Sequence, residues 1–262
     1  MIIIGERINS TRKQVKEAVE AQNRAVIEDL ARSQASFGAN YIDVNGGHPS
    51  REIEVVKWLL EVVQSTVDLP VALDSSNPQA VQEGLKLVKK KPIINSVSLE
   101  KDRLKNYLPL VRDNECSVIA LLMSDDGVPS SSQDRQQRAE DLVGKLLDMG
   151  KKQNEIFVDP CFLAIYTEVN AGLDMLESVR WMRNRWPEIH ISGGVSNASH
   201  GLPKRKWINQ AYLMLALGAG LDAAIIDPCV EGTLALIMAT EVILGKDQMA
   251  MDYIEAAKTD KI

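Results

Sequence analysis

Short apolar runs alternate along this chain with longer amphipathic stretches. The runs are Ile2 to Ile4, Tyr41 to Val44, Val71 to Leu73, Ile93 to Ile94, Val118 to Leu122, Ile156 to Val158, Ile189 to Ile191 and Ala223 to Ile226. Most are rich in Val and Ile, as strands buried on both faces of a parallel sheet are. Between them, apolar residues recur at helical spacing: Val55, Leu59, Val62 and Val63; Val81, Leu85 and Val88; Leu142, Leu146 and Met149. Eight strand-helix units follow one another with no linker, no low-complexity segment and no element left over. The alternation predicts a parallel sheet. A doubly wound open sheet is the rival, and eight complete units favour closure. The expected architecture is an α/β fold, a (β/α)8 barrel of the TIM type, as a single domain over residues 1–262.

Polar residues punctuate the ends of most runs: Asp43 and Asn45, Asp74, Asn95, Asp159, Ser196 and Asn197 after a glycine pair, and Asp227. In a barrel these positions form the mouth, where active sites lie. Any one of them can instead cap a following helix. Later residues such as Ser75, Ser76 or Asn77 can serve as caps, which leaves the first polar residue free to face the barrel axis.

Composition narrows the classes. The chain has 262 residues, 45% hydrophobic and 25% charged, which excludes disordered and fibrous classes. A formal net charge of -6 argues against a nucleic-acid partner. Lys89, Lys90 and Lys91 read as a basic helix C-terminus. Cys116, Cys161 and Cys229 are widely separated and form no CxxC pair, so neither a structural zinc site nor a disulfide framework is expected. The N-terminal apolar run is too short for a signal sequence, and no stretch approaches the ~20 apolar residues of a membrane span. A cytoplasmic protein without a membrane partner is expected.

Asp74, Asn95 and Asp159 form the central constellation. A carboxylate accepts two parallel N–H bonds from an amidine-like edge, and an amide both donates and accepts. A flat, nitrogen-rich heterocycle such as a pterin offers such edges. A carboxylate pair doing acid/base work and a Mg²⁺ site built from Asp43, Asp74, Asp159 and Asp227 are the rival chemistries. After the first run, Glu6 and Asn9 can point into the mouth while Arg7 pairs with a carboxylate. Gly193 and Gly194 let backbone approach a ligand, and Lys204, Arg205 and Lys206 can bind an anion. Glu188-Ile189-His190-Ile191-Ser192-Gly193 nearly matches the corrinoid-binding pattern D-x-H-x-x-G, but His190 falls within an apolar run and reads as a packed strand residue. Cys161 is the one thiol at the mouth and reads as a buried, inert one.

Several of these segments together resemble the methyltetrahydrofolate:corrinoid protein methyltransferases, relatives of the pterin domain of cobalamin-dependent methionine synthase. They are Ile4-Gly5-Glu6-Arg7-Ile8-Asn9, Leu73-Asp74-Ser75-Ser76-Asn77, Ile94-Asn95-Ser96, Val158-Asp159-Pro160, Gly194-Val195-Ser196-Asn197 and Gly220-Leu221-Asp222-Ala223-Ala224. The resemblance spans the chain. It implies a pterin-binding barrel, usually a homodimer, that takes tetrahydrofolate or methyltetrahydrofolate as substrate. Cobalamin is supplied by a separate corrinoid protein docking over the mouth. It further implies that Asp74, Asn95 and Asp159 hold the pterin ring, that Asn197 lies near the methyl-bearing N5, and that Gly194, Ser196 and Arg205 line the same pocket. Asn197 is the expected catalytic residue. Ser76 stands where Thr is commoner, and Ala198-Ser199-His200-Gly201 departs from the family pattern, which brings His200 close to the expected reacting centre. A dihydropteroate synthase-like pterin enzyme and a non-catalytic folate-binding subunit are the alternatives.

Overall fold

In the computed structural model, which describes residues 1–48, 50–166 and 169–262, every one of the eight apolar runs forms a strand. The strands are β1 (Ile2–Gly5), β2 (Tyr41–Asn45), β3 (Val71–Asp74), β4 (Ile93–Ser98), β5 (Ser117–Leu121), β6 (Ile156–Asp159), β7 (His190–Ile191) and β8 (Ala223–Ile226). The helices are α1 (Lys13–Glu20), α2 (Arg24–Ser36), α3 (Glu52–Thr66), α4 (Pro78–Leu85), α5 (Lys101–Asp113), α6 (Ser132–Asp148), α7 (Ala171–Arg185), α8 (Arg205–Ala219), α9 (Thr233–Ile243) and α10 (Met251–Lys258). Two of them, α1 ahead of α2 and α10 after α9, exceed the eight expected units. A short break with positive φ at Gln22 separates α1 from α2, and a longer one, with positive φ at Gly245, Met249 and Ala250, separates α9 from α10.

Neighbouring strands pair in parallel in chain order from β1 to β7, and β8 pairs with β1. The seam between β7 and β8 is closed by Asp222. Its N–H donates to Ile191 O at 3.2 Å, and its carboxylate accepts from Ile191 N at 2.7 Å. Ile225 N–H donates to Gly193 O at 3.0 Å across the same gap. The result is a (β/α)8 barrel.

Alternation sorts each strand into two faces. Ile4, Ala72, Ile93, Ile119, Phe157 and Ala223 pack with Ile2, Tyr41 and Ile225 inside the barrel. The intervening residues, such as Ile42, Val44, Leu73, Ile94, Val118 and Val158, pack outward under the helices. His190 belongs to the interior face: it stacks on Phe157 at 4.5 Å and its Nδ1 lies 2.9 Å from Asp222. It is a packed strand residue, as expected. Lys89 to Lys91 differ from expectation. The helix ends at Leu85, short of Val88, and the lysines lie in the following loop, where Lys90 pairs with Asp68 and Lys91 with Glu155. Among the described residues no helix is long and apolar enough to cross a membrane.

Candidate active site

Two residues beyond the apolar interior layer, five strands present a polar side chain at the mouth. Ile4 leads to Glu6, Ala72 to Asp74, Ile93 to Asn95, Phe157 to Asp159 and Ile225 to Asp227. On β2 the same alternation runs from Tyr41 through Asp43 to Asn45. The apolar floor and the polar ring are therefore successive layers of one inward face.

On β2 to β4 the ring is tightly bonded. Asn45, Asp74 and Asn95 are register partners on adjacent strands. Asn45 Nδ2 donates to Asp74 at 2.7 Å, and Asn95 Nδ2 donates to Asp43 at 3.1 Å. Asp43 is 2% exposed. Burial pushes its carboxyl well above the usual range, the Asp74 charge pushes it further, and the Asn95 bond opposes both. Burial also raises Asp74, against the Asn45 bond and the nearby Arg103. Two carboxyls in one dry layer resist double ionisation. The deeper Asp43 keeps a proton more readily, which leaves the charge on Asp74 at the mouth. The α4 cap falls to later residues, as expected: Asn77 accepts from Gln79 N, and Ser75 Oγ accepts from Asn77 N. Asp74 is thereby free to face the axis.

Across the barrel, Asp159 is buried at the end of β6. Its Oδ1 accepts from Cys161 N at 2.8 Å, and the Phe162 and Gly194 amides donate to it as well. Burial nevertheless lifts its pKa to about 6. Gly193 serves packing rather than ligand approach: a Cβ there would sit 2.4 Å from the Phe162 ring and 3.1 Å from Asp159 Oδ1. Cys161 is buried with φ 64°, and burial together with Asp159 pushes its thiol up, so it is inert at neutral pH.

After β7 the chain makes a 3-10 helix, Val195–Ser199. Arg205, at the start of α8, holds this turn, donating to Ser196 O at 2.6 Å and Ser199 Oγ at 2.9 Å. Ser196 Oγ lies 3.5 Å from Glu6, whose carboxyl is raised by burial and held back by Arg12 at 2.9 Å. Arg7 lies 3.7 Å from Asp227, the carboxylate pairing expected of it. Ser196, Arg205, Glu6 and Asp227 line a cavity of about 360 Å³ with an apolar floor that includes Val195 and Leu213. Asn197 is exposed on the 3-10 helix, with its side-chain nitrogen 3.0 Å from the place a Gly194 Cβ would take.

The expected residues thus form two groups on opposite strands of one mouth: Asp74 with Asn95, and Asp159 with Gly194, Ser196, Asn197 and Arg205. Asn9 bridges to Asn45 through the backbone, and its side-chain oxygen accepts from Thr11 N and Oγ1. Of the three basic residues at the start of α8, Lys206 is paired with Glu231 and Arg205 is committed to the 3-10 turn, which leaves Lys204 as the candidate for an anion. His200 is exposed beside Asn197. Among the described residues no group of three or more His, Cys, Asp or Glu is placed to hold a metal ion. Asp43 and Asn45 stand at the mouth, as their place at the end of a run predicts, but their bonds to Asn95 and Asp74 go beyond that expectation, which gave Asn45 no role and Asp43 that of a possible metal ligand. The two-residue step from the apolar layer is the signal that finds both.

The sequence profile described as pterin binding enzyme matches residues 5–227. A methylcorrinoid:tetrahydrofolate methyltransferase of Eubacterium limosum is 35% identical over 265 residues, covering 100% of this chain and 98% of that protein. Methionine synthase of Mycobacterium tuberculosis is 28% identical over 240 residues, which cover 86% of this chain and 20% of the synthase. The matched region is thus about a fifth of that longer protein. Among solved structures, a dihydropteroate synthase from Coxiella burnetii in complex with pteroic acid superposes with a TM-score of 0.72 at 15% identity, covering 92% of this chain and 94% of that one. The Yersinia pestis enzyme with a pterine-sulfa conjugate superposes at 0.70 and 16%, covering 92% and 93%. At such identities the likeness shows the fold.

Proposed function

The chain belongs to the family of pterin binding enzymes, and from this we propose that it moves a methyl group between N5 of tetrahydrofolate and the cobalt of a separate corrinoid protein. The full-length likeness to a methylcorrinoid:tetrahydrofolate methyltransferase carries the reading. The mouth supports it. Asp159 and Asp74 offer carboxylates to the N–H edges of a reduced pterin, and Asn95 offers an amide between them. The apolar layer beneath closes the floor against water. Glu6, Ser196 and Arg205 border the space beside the ring, and Asn197 stands over it on a fixed turn.

The corrinoid cobalt supplies the second methyl site when its carrier docks. The rest falls to this chain. An N5 amine leaves poorly unless it is protonated or strongly hydrogen-bonded, and it attacks only when unprotonated. One pocket that stabilises the shared transition state serves both directions. The purified chain mixed with tetrahydrofolate and methylcobalamin is expected to form methyltetrahydrofolate, and mixed with methyltetrahydrofolate and reduced cobalamin to run the reverse. Folate binding without transfer to any corrinoid carrier would leave a non-catalytic subunit. Dihydropteroate formation from a pterin diphosphate and aminobenzoate would mark a synthase.

The whole chain, residues 1–262, works as one pterin-binding unit in this reading, and as a homodimer. The α9 helix supports the dimer. Only Glu241 is charged among its eleven residues, and that side chain binds the amino group of Met1. Yet Leu236 and Ile243 lie exposed on it, beside exposed Leu215 of α8 and Met251 of α10. An uncharged face matches a second copy of itself, and using it leaves the mouth open for the carrier. Light scattering is expected to give twice the chain mass. Leu215→Glu with Ile243→Glu should give a folded monomer; a wild-type mass for that variant places the interface elsewhere.

A further inference from the structure

Ser75 and Ser96 directly follow Asp74 and Asn95, and a single guanidinium holds both of their carbonyls. Arg103, the third residue of α5, donates through Nε to Ser96 O at 2.8 Å and through Nη2 to Ser75 O at 3.2 Å. One helical turn on, the Tyr107 ring lies beneath it, 4.5 Å from guanidinium to centroid. Tyr107 is 1% exposed, and its hydroxyl also donates to Ser75 O, at 2.7 Å. Ser75 Oγ is tied in turn to Glu52 of α3 at 2.5 Å. None of these groups reaches the barrel axis, yet together they hold the ends of β3 and β4 at a fixed separation.

We propose that Arg103 is a positioning residue of the pterin site, setting the spacing of Asp74 and Asn95 and placing a positive charge behind Asp74. The proposal rests on the reading that these two side chains hold the ring. A guanidinium suits the task as an ammonium does not. Its planar edge aims two N–H groups at two separate carbonyls while its face rests on an aromatic ring. The groups facing Asp74 are Asp43 and Asn45 from β2, Glu52 from α3, Asn95 from β4, and Arg103 with Tyr107 from α5. Burial and, less, the Glu52 charge raise the Asp74 carboxyl, while Asn45 and Arg103 hold it down. Arg103 thus helps keep Asp74 an acceptor near neutral pH.

The test is titration of the intrinsic tryptophan fluorescence with methyltetrahydrofolate across a pH series. Arg103→Met is expected to weaken binding about tenfold or more at neutral pH. It should also move the acid midpoint of binding upward, because the charge that holds the Asp74 carboxyl down is gone. Arg103→Lys keeps the charge but not the fork, so affinity falls while the midpoint stays near that of the wild type. Asp74→Asn should bind weakly, and adding Arg103→Met to it should no longer move the midpoint. A merely structural role would lower thermal stability and affinity in Arg103→Met with the midpoint unmoved, and that result overturns the proposal. So does wild-type binding by Arg103→Met while Asp74→Asn binds weakly. If Asp74→Asn itself binds as the wild type does, the ring reading of Asp74 falls and the proposal with it. Should Arg103→Met not fold, Arg103→Lys decides, because wild-type affinity there removes the carbonyl bridge.

Discussion

Asn197→Ala is expected to slow methyl transfer roughly ten- to a thousandfold, the range for losing one oriented polar group in a transition-state site. An amide cannot supply a proton at neutral pH, so Asn197 is not a general acid. Its oxygen can accept the N–H that forms if N5 becomes protonated as the methyl group leaves. Such a bond is stronger in the transition state than in the ground state and lowers the barrier. The turn that carries Asn197 is fixed: its N–H donates to Gly194 O at 3.0 Å, its carbonyl accepts from His200 N at 3.0 Å, and Arg205 grips the carbonyl of Ser196. The bland alternative for this residue is a helix cap, and the structure gives the capping positions to others. Gly194 precedes the 3-10 helix, Lys204 precedes α8, and neither helix takes a side-chain cap from Asn197. Removal of the exposed amide should therefore change stability by no more than about 0.5 kcal/mol. Stopped-flow transfer and folate titration on the same variant separate the roles. A wild-type rate in a folded Asn197→Ala protein would falsify the catalytic assignment.

Much of this arrangement could be read from the chain before any coordinates. Val- and Ile-rich runs located the strands to within a few residues because burial on both faces leaves little room for polar side chains. The exception is β4, which continues through Asn95, Ser96 and Val97 to Ser98, with a register shift between Asn95 and Val97. Polar residues inside a strand end an apolar run before they end the ladder. Asp74, Asn95 and Asp159 were legible because each closes a run. Asn45 closes one too, but its bond to Asp74 depends on register, and register is a property of two strands. Arg103 left no mark at all. It lies on a helix after β4, amid charged neighbours, and its partners are backbone carbonyls that no side-chain pattern encodes. Gly193 had a visible signature and a hidden cause, since the Phe162 ring that requires it comes from a different loop.

Asp159→Asn should weaken methyltetrahydrofolate binding by roughly ten- to a hundredfold at neutral pH, the worth of a charge-assisted bond in a buried site. The same carboxyl should impose a pH dependence of definite sign. In the free protein burial raises its pKa to about 6, and three backbone amides only partly offset that cost. Ring N–H groups bind the ionised form, so a bound pterin draws the pKa down. Affinity is then lost as pH falls through the free-protein value, by up to about tenfold per unit. Stability of the ligand-free chain runs the other way. A carboxyl raised from 3.8 to about 6 binds its proton more tightly when folded. Its contribution is fully present below the unfolded value and is lost as pH rises through the folded one. The melting temperature without folate should accordingly decline between these two values, while folate affinity climbs over the upper part of the range. Asp43, Asp74 and Glu6 are raised as well and add slopes of the same sign. The difference between wild type and Asp159→Asn isolates the one carboxyl. Calorimetric melting and fluorescence titration over the same pH series measure both effects. If the two proteins give parallel affinity profiles, the ring does not sit on Asp159.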